Sequence, residues 1–259
     1  MHAQNCKSPS LRRFFIPPEM VGTAAPEITG SDAGHICRVL RLTSGDFVEL
    51  FDGSGSGYRA QIVAADLERV RVTITESYPL ATESPARITL AQGFLKARKM
   101  DDLIRPLSEL GIYCWQPFFA ARSVSRPKRP SLEKRLDRWR KKAVEAVKQC
   151  RRGRIPIIEP AGSLAEVLKI SEGFDLKLFF WEGAPLVLDL PAASLPSPRS
   201  ILAVVGPEGG FTADEVNIAK ARNFLICGLG PRILRAETAA LAACTVIQYR
   251  FGDMGPTED

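Results

Sequence analysis

The chain has 259 residues, 45% of them apolar and 25% charged, with a net charge of +6. That composition excludes a wholly disordered chain, and the positive balance suits a polyanionic partner. Six scattered cysteines without a C-x-x-C pair, two histidines and no apolar run near ~20 residues argue against a disulfide scaffold, a zinc or histidine-rich metal site and a membrane span.

The same features suit a reduced, cytoplasmic protein, and the first residues lack the apolar core of an export signal. With His2 and His35 as the only imidazoles, catalysis has to proceed without an imidazole pair.

Residues 1–80 read as a small antiparallel β-barrel. Short β-rich runs at Phe47–Phe51, Tyr58–Val63 and Val70–Thr75 alternate with turn chemistry at Ser44-Gly45-Asp46 and Asp52–Gly57. Before them, residues 28–42 hold an amphipathic segment that sets Arg38 and Arg41 three apart. Together with Arg12 and Arg13 these arginines make a basic patch or, more plainly, solvated surface charge. Residues 81–87 are the expected linker.

From residue 88 to 259 the pattern becomes β/α. Strands are expected near 88–91, 112–116, 155–158, 176–181, 201–205 and 224–227, with helices near 100–110, 132–149, 164–170 and from Ala213. Such alternation predicts a parallel sheet with helices on its faces. Pro106 lies in the middle of the first helix, where it removes a backbone hydrogen bond, so a kink or a later start is expected. The loop Pro191–Pro198 has no charged side chain and reads as a plain connection.

The segment 122–154 carries fourteen Lys or Arg against three acids, a local charge of +11, so the rest of the chain sums to −5. Charge this concentrated suits a phosphate-backbone footprint, with Arg122, Arg151 and Arg152 as candidates. The alternative is a solvated helix. Leu132, Leu136, Trp139, Ala143 and Val147 recur at helical spacing, which makes Trp139 a core residue rather than a base-stacking one.

The densest chemistry lies in 201–243. The apolar run Ile201–Val205 stops at Gly206-Pro207-Glu208-Gly209-Gly210, and Thr212 with Glu215 has capping-box spacing for the helix that follows. A second run, Phe224–Cys227, enters Gly228-Leu229-Gly230-Pro231. Two glycine loops at the ends of parallel strands are where open α/β sheets bind small ligands. Neither matches a phosphate-binding or dinucleotide fingerprint, which leaves an NTPase or dehydrogenase unsupported.

GPEGGFTADE (206–215) followed by LGPRILRAETA (229–239) resembles the C-terminal signature of the RsmE ribosomal RNA methyltransferases, a branch of the SPOUT class. HICRVLRLTSGDFVELFDGSG (35–55) is similar to that family's PUA-like RNA-binding barrel, and KQCRR (148–152) resembles its Glu-Gln-Ser-x-Arg region, with Lys148 in place of the acid. Pro106 stands where family members carry a lysine. The resemblance implies a PUA-like β-barrel joined to a SPOUT α/β domain with a parallel sheet and a C-terminal trefoil knot, a homodimer, and S-adenosyl-L-methionine as cofactor.

It also implies methylation of uridine N3 in 16S ribosomal RNA of the small ribosomal subunit. Cofactor contacts carry over to Gly206, Pro207, Gly209, Leu229, Gly230, Ile233, Leu234 and Thr238. N3 of neutral uridine bears a proton, so a base or an anion-stabilising cation is required. Glu208 as proton acceptor and Arg235 as cation are the candidates. The other reading has Glu208 fixing its loop and Arg235 pairing with Glu237 or a phosphate. The alternative to an enzyme is a non-catalytic RNA-binding protein of the same architecture.

Overall fold

The computed structural model describes residues 11–184 and 198–256. His2 and most of the loop Pro191–Pro198 lie outside the described residues. The chain divides into two compact units: residues 11–83 with 148–154, and residues 84–147 with 155–256.

The first unit is built on a five-stranded sheet in the order β1-β3-β4-β5-β2, formed by β1 (Arg13–Phe15), β2 (Glu27–Thr29), β3 (Phe47–Phe51), β4 (Ser56–Ala65) and β5 (Arg69–Pro79). The sheet is mixed rather than purely antiparallel, because β1 runs parallel to β3. Alternation sets its faces: Val48 and Leu50 are buried around Glu49, and Val70 and Val72 around Arg71. Short helices α1 (Pro18–Val21) and α2 (Ser31–His35) precede β3, and α2 passes into a π turn over Ile36–Leu40. Arg41 then takes φ 54°, so Arg38 and Arg41 are not on one regular helix face.

Residues 148–154 complete this unit. Gly55 N–H donates to Gly153 O at 3.1 Å, and Gly153 N–H donates to Glu83 Oε1 at 3.0 Å. Arg152 pairs with Glu83 at 2.7 Å, Lys148 pairs with Asp32 at 2.8 Å, and Arg13 donates to the Arg152 carbonyl at 2.8 Å.

The second unit is a seven-stranded parallel sheet: β6 (Arg87–Gly93), β7 (Cys114–Phe119), β8 (Ile157–Ile158), β9 (Gly162–Ser163), β10 (Leu176–Phe180), β11 (Ser200–Val205) and β12 (Leu225–Cys227). The order is β12-β10-β11-β6-β7-β8, with β9 also on β7. Strand β11 is buried on both faces. Ile201, Ala203 and Val205 face a core closed by α3 (Lys99–Glu109), α4 (Arg129–Cys150) and α7 (Ala236–Phe251), while Leu202 and Val204 face one closed by α5 (Leu164–Lys169) and α6 (Ala213–Ala221). Among the described residues no helix is long and apolar enough to cross a membrane.

Helix α3 begins at Lys99 and continues through Pro106 without starting later. The carbonyl that loses its partner there belongs to Asp102, four residues back, which is exposed. Trp139 is 1% exposed and its indole N–H donates to Asp101, confirming its place in the core. Asp101 also takes a forked pair of bonds from Arg138, at 2.9 and 2.8 Å. Burial pushes this carboxyl up, but the bonds from Arg138 and Trp139 outweigh it and hold the group below its ordinary value.

A depressed acid adds stability that is present above its unfolded pKa and is lost as pH falls through the folded one. Asp101→Asn should therefore cost about 1–3 kcal/mol near neutral pH and shrink the loss of stability on the acid side, read by urea unfolding across pH. An unchanged acid limb would assign that loss to other carboxylates.

Candidate functional site

The neighbours β6 and β11 mark where the strand order reverses, the position at which ligands enter open α/β sheets. The backbone is unusually close there. A Cβ on Gly93 would lie 2.4 Å from Pro207 N, so only glycine lets the end of β6 meet the loop after β11. Gln92, fully buried, donates from its amide to Gly93 O at 3.0 Å and Gly206 O at 3.2 Å.

Gly210 at φ 64° closes the turn by donating to Pro207 O at 2.9 Å. Phe211 then plugs into the core against Phe179, with ring centres 4.2 Å apart. Thr212 and Glu215 form the expected capping box of α6, and Glu215 also accepts the Ala121 N–H at 2.8 Å.

Three loops, following β10, β11 and β12, surround a cavity of about 450 Å³. The lining is rich in glycine: residues 206–211 on one side and 228–236 on another, with Trp181 and Glu182 from the loop after β10. Helix α7 starts at this cavity with Ala236 in the lining, so unpaired N–H groups of its first turn lie next to it.

The charged groups are organised by Lys99, whose ammonium lies 3.2 Å from Glu208 and 3.1 Å from Glu237. This joins the loop after β11 to the first turn of α7. Glu208 accepts the Lys96 N–H as well, at 3.1 Å. Burial pushes the Glu208 carboxyl up, yet its own backbone N–H, that of Lys96 and the Lys99 ammonium together bring it below its ordinary value. Lys99 is raised, foremost by its hydrogen bond to Glu237. A carboxylate held ionised in this way anchors a loop well and accepts protons poorly.

The structure brings Gly206, Pro207, Glu208, Gly209, Leu229 and Gly230 together in one lining with Ile233, Leu234 and Arg235. Arg235 and Arg232 are exposed side chains at the cavity, and among the described residues neither has an ion-pair partner. Glu237 pairs with Lys99 and not with Arg235. Thr238 is exposed and outside this lining, because in the first turn of α7 the helical step carries Ala236 and Ala239 to the cavity.

The expected basic patch also divides. Arg12, Arg38, Arg41, Arg122 and Arg151 are exposed. Arg122 sits beside the cavity loop and donates to Gly209 O at 3.4 Å. Arg13 and Arg152 turn inward, with side chains only 4% and 6% exposed. Arg13 lies 4.3 Å over the Phe51 ring and pairs with Glu49 at 3.5 Å. Such buried, partnered guanidinium groups hold the first unit together and are not available to phosphate.

Sequence reasoning missed Lys99, Trp181 and Glu182. The last two carried a usable signal: Trp181-Glu182-Gly183 follows a buried strand just as the other two glycine loops do.

A family model described as RNA methyltransferase domain matches residues 82–248, and one described as RNA methyltransferase PUA domain matches residues 28–75. The ribosomal RNA small subunit methyltransferase E of Bacillus subtilis is 33% identical over 93% of this chain and 97% of its own. A crystal structure of the enzyme of that name from Neisseria gonorrhoeae, bound to S-adenosylmethionine, is 29% identical with a TM-score of 0.79, covering 94% of this chain and 99% of its own. A methyltransferase from Legionella pneumophila in complex with the same cofactor is 29% identical with a TM-score of 0.84, covering 95% and 100%.

Lys99→Met should raise the Glu208 pKa toward that of an ordinary glutamate, followed by carboxyl carbon NMR titration. A Glu208 pKa that stays where it is would show that the backbone N–H groups alone set it.

Proposed function

The chain belongs to the ribosomal RNA small subunit methyltransferase E family, and from that premise we propose that it transfers a methyl group from S-adenosylmethionine to N3 of a uridine in 16S ribosomal RNA. The observation that carries this is the glycine-rich cavity at the carboxyl ends of β10, β11 and β12, opening beside two cationic side chains without partners among the described residues. The family resemblance supplies the choice of nucleophile, and the working site is cytoplasmic.

The cavity suits the cofactor. Glycine-lined walls let backbone donors and acceptors approach an adenosyl group closely, and the lining supplied by Gly206, Pro207, Gly209, Leu229, Gly230, Ile233 and Leu234 is mixed polar and apolar. When bound, S-adenosylmethionine supplies an electrophilic methyl group on a sulfonium. Methyl transfer is a displacement that depends chiefly on orientation, which a rigid backbone wall provides. What this chain adds is charge control at the nucleophile.

Arg235, set at the start of α7, would stabilise the negative charge that develops on the uracil as N3 gives its proton to solvent, the anion then taking the methyl group with S-adenosylhomocysteine as leaving group. Glu208 has a supporting role: ionised and bonded to Lys96 N–H and Lys99, it holds the 206–210 loop. The target base has to leave its pairing partner to expose N3, and the exposed Arg122 of the second unit, like Arg12, Arg38, Arg41 and Arg151 of the first, offers its charge to RNA phosphates. The trefoil knot and the homodimer belong to the same proposal. Exposed Ile218, Leu225 and Ile233, at 51%, 42% and 86%, supply apolar surface for a second copy. The proposed domains, 1–80 and 88–259 joined by 81–87, exchange one segment: residues 148–154 pack with the first unit.

The test is transfer of labelled methyl to 16S ribosomal RNA or small subunits, with the product nucleoside identified by mass spectrometry. RNA binding without any transfer would favour the non-catalytic reading. Arg235→Ala should lower the rate about 100-fold or more with the fold and cofactor affinity retained, and an unchanged rate would remove Arg235 from the reaction. Arg122→Glu and Arg151→Glu should each weaken RNA binding and flatten its logarithmic salt dependence by about one unit or more. Binding that keeps its salt slope would place the phosphates elsewhere.

A further inference from the structure

We propose that Glu182 is a cofactor-binding residue that recognises the vicinal ribose hydroxyls of the adenosyl group. This rests on the reading of the cavity as the S-adenosylmethionine site.

Glu182 is placed by a tight turn at the end of β10. Trp181 N–H donates to Cys227 O at 2.9 Å, and Ala184 N–H donates back to Trp181 O at 3.1 Å. The Trp181 indole folds over the next glycine, where a Cβ on Gly183 would come within 2.6 Å of the ring. The turn holds Glu182 on the cavity wall. Its Oε1 is 2.7 Å from where a Cβ on Gly210 would stand, so the carboxylate reaches across to the loop after β11.

The charges around the cavity single this carboxylate out. Glu208 and Glu237 share the Lys99 ammonium. Glu182, exposed to the solvent of the open cavity, has neither an ion pair nor a hydrogen-bond partner among the described residues. A carboxylate on a binding wall accepts hydrogen bonds and has none to give, so a ligand that displaces its water must bring donors. The ribose diol brings two adjacent O–H donors to match two carboxylate oxygens, and it is neutral. The amino-acid end of the cofactor also carries donors, on its ammonium, but its own carboxylate would be repelled by Glu182.

The experiment titrates the full-length protein calorimetrically with S-adenosylmethionine, 5′-methylthioadenosine and 2′,3′-dideoxy-5′-methylthioadenosine, as wild type and as Glu182→Gln. The variant keeps the side-chain volume, and an unchanged thermal unfolding midpoint confirms the fold. Wild type should prefer the diol ligand about 10- to 100-fold, and the variant should retain less than about threefold of that preference. A variant that keeps the full diol preference overturns the proposal. So does one that instead loses the advantage of S-adenosylmethionine over methylthioadenosine, since the carboxylate would then be reading the ammonium. If wild type binds none of the three ligands, the cofactor reading itself fails and takes the proposal with it.

Discussion

The close approach of Gly93 to the peptide joining Gly206 and Pro207 is the constraint on which the rest of the site depends. A Cβ at Gly93 would stand 2.4 Å from Pro207 N, and no side-chain rearrangement relieves a clash with backbone. Two parallel strands can therefore deliver their ends to the same point only because one of them ends in glycine. Gln92 secures the approach by giving both hydrogens of one buried amide to carbonyls of the two segments. The loop that follows is positioned by backbone, which leaves its one charged side chain, Glu208, to act as a strut to α3.

That strut organises the electrostatics. Lys99 neutralises two carboxylates from different loops, so the ordinary attraction between a helix N-terminus and an acid, here α7 and Glu237, is combined with a tie to the 206–210 loop. The positive charge left at the cavity then resides on Arg232 and Arg235, which suits a reaction that builds negative charge on its substrate. The pairing also accounts for Glu208 being a weak base: the bonds that make it a good anchor lower its proton affinity.

Local patterns carried much of the architecture. The run Ile201–Val205, the capping box at Thr212 and Glu215, and the alternation of β3 and β5 appear in the structure close to where periodicity put them, because each is decided by neighbours in sequence. The features least legible in sequence concern direction. Charge counts placed Arg13 and Arg152 on a phosphate-binding surface, but composition does not say which way a guanidinium points, and these two find Glu49 and Glu83 across long sequence separations. Thr238 illustrates a related point: a motif gives a residue its address, whereas the phase of α7 decides which side chains meet the cavity. The parallel pairing of β1 with β3 was equally hidden, since a three-residue strand carries too little pattern to reveal its partner.

The N-terminal unit is discontinuous in the chain, and this bears on the order of its assembly during synthesis. Residues 11–83 are made first, yet Glu83 and Asp32 find their ion-pair partners, and Arg13 one of its hydrogen-bond acceptors, only in 148–154. On a ribosome that adds roughly 5–20 residues per second, the segment from Glu83 to Lys148 takes several seconds to emerge. Through that interval the β-rich unit holds two carboxylates without their final partners and an arginine short of one acceptor. Its completion waits on sequence that lies beyond the first strands of the second unit, so the two halves of the protein reach their native state as coupled events in time.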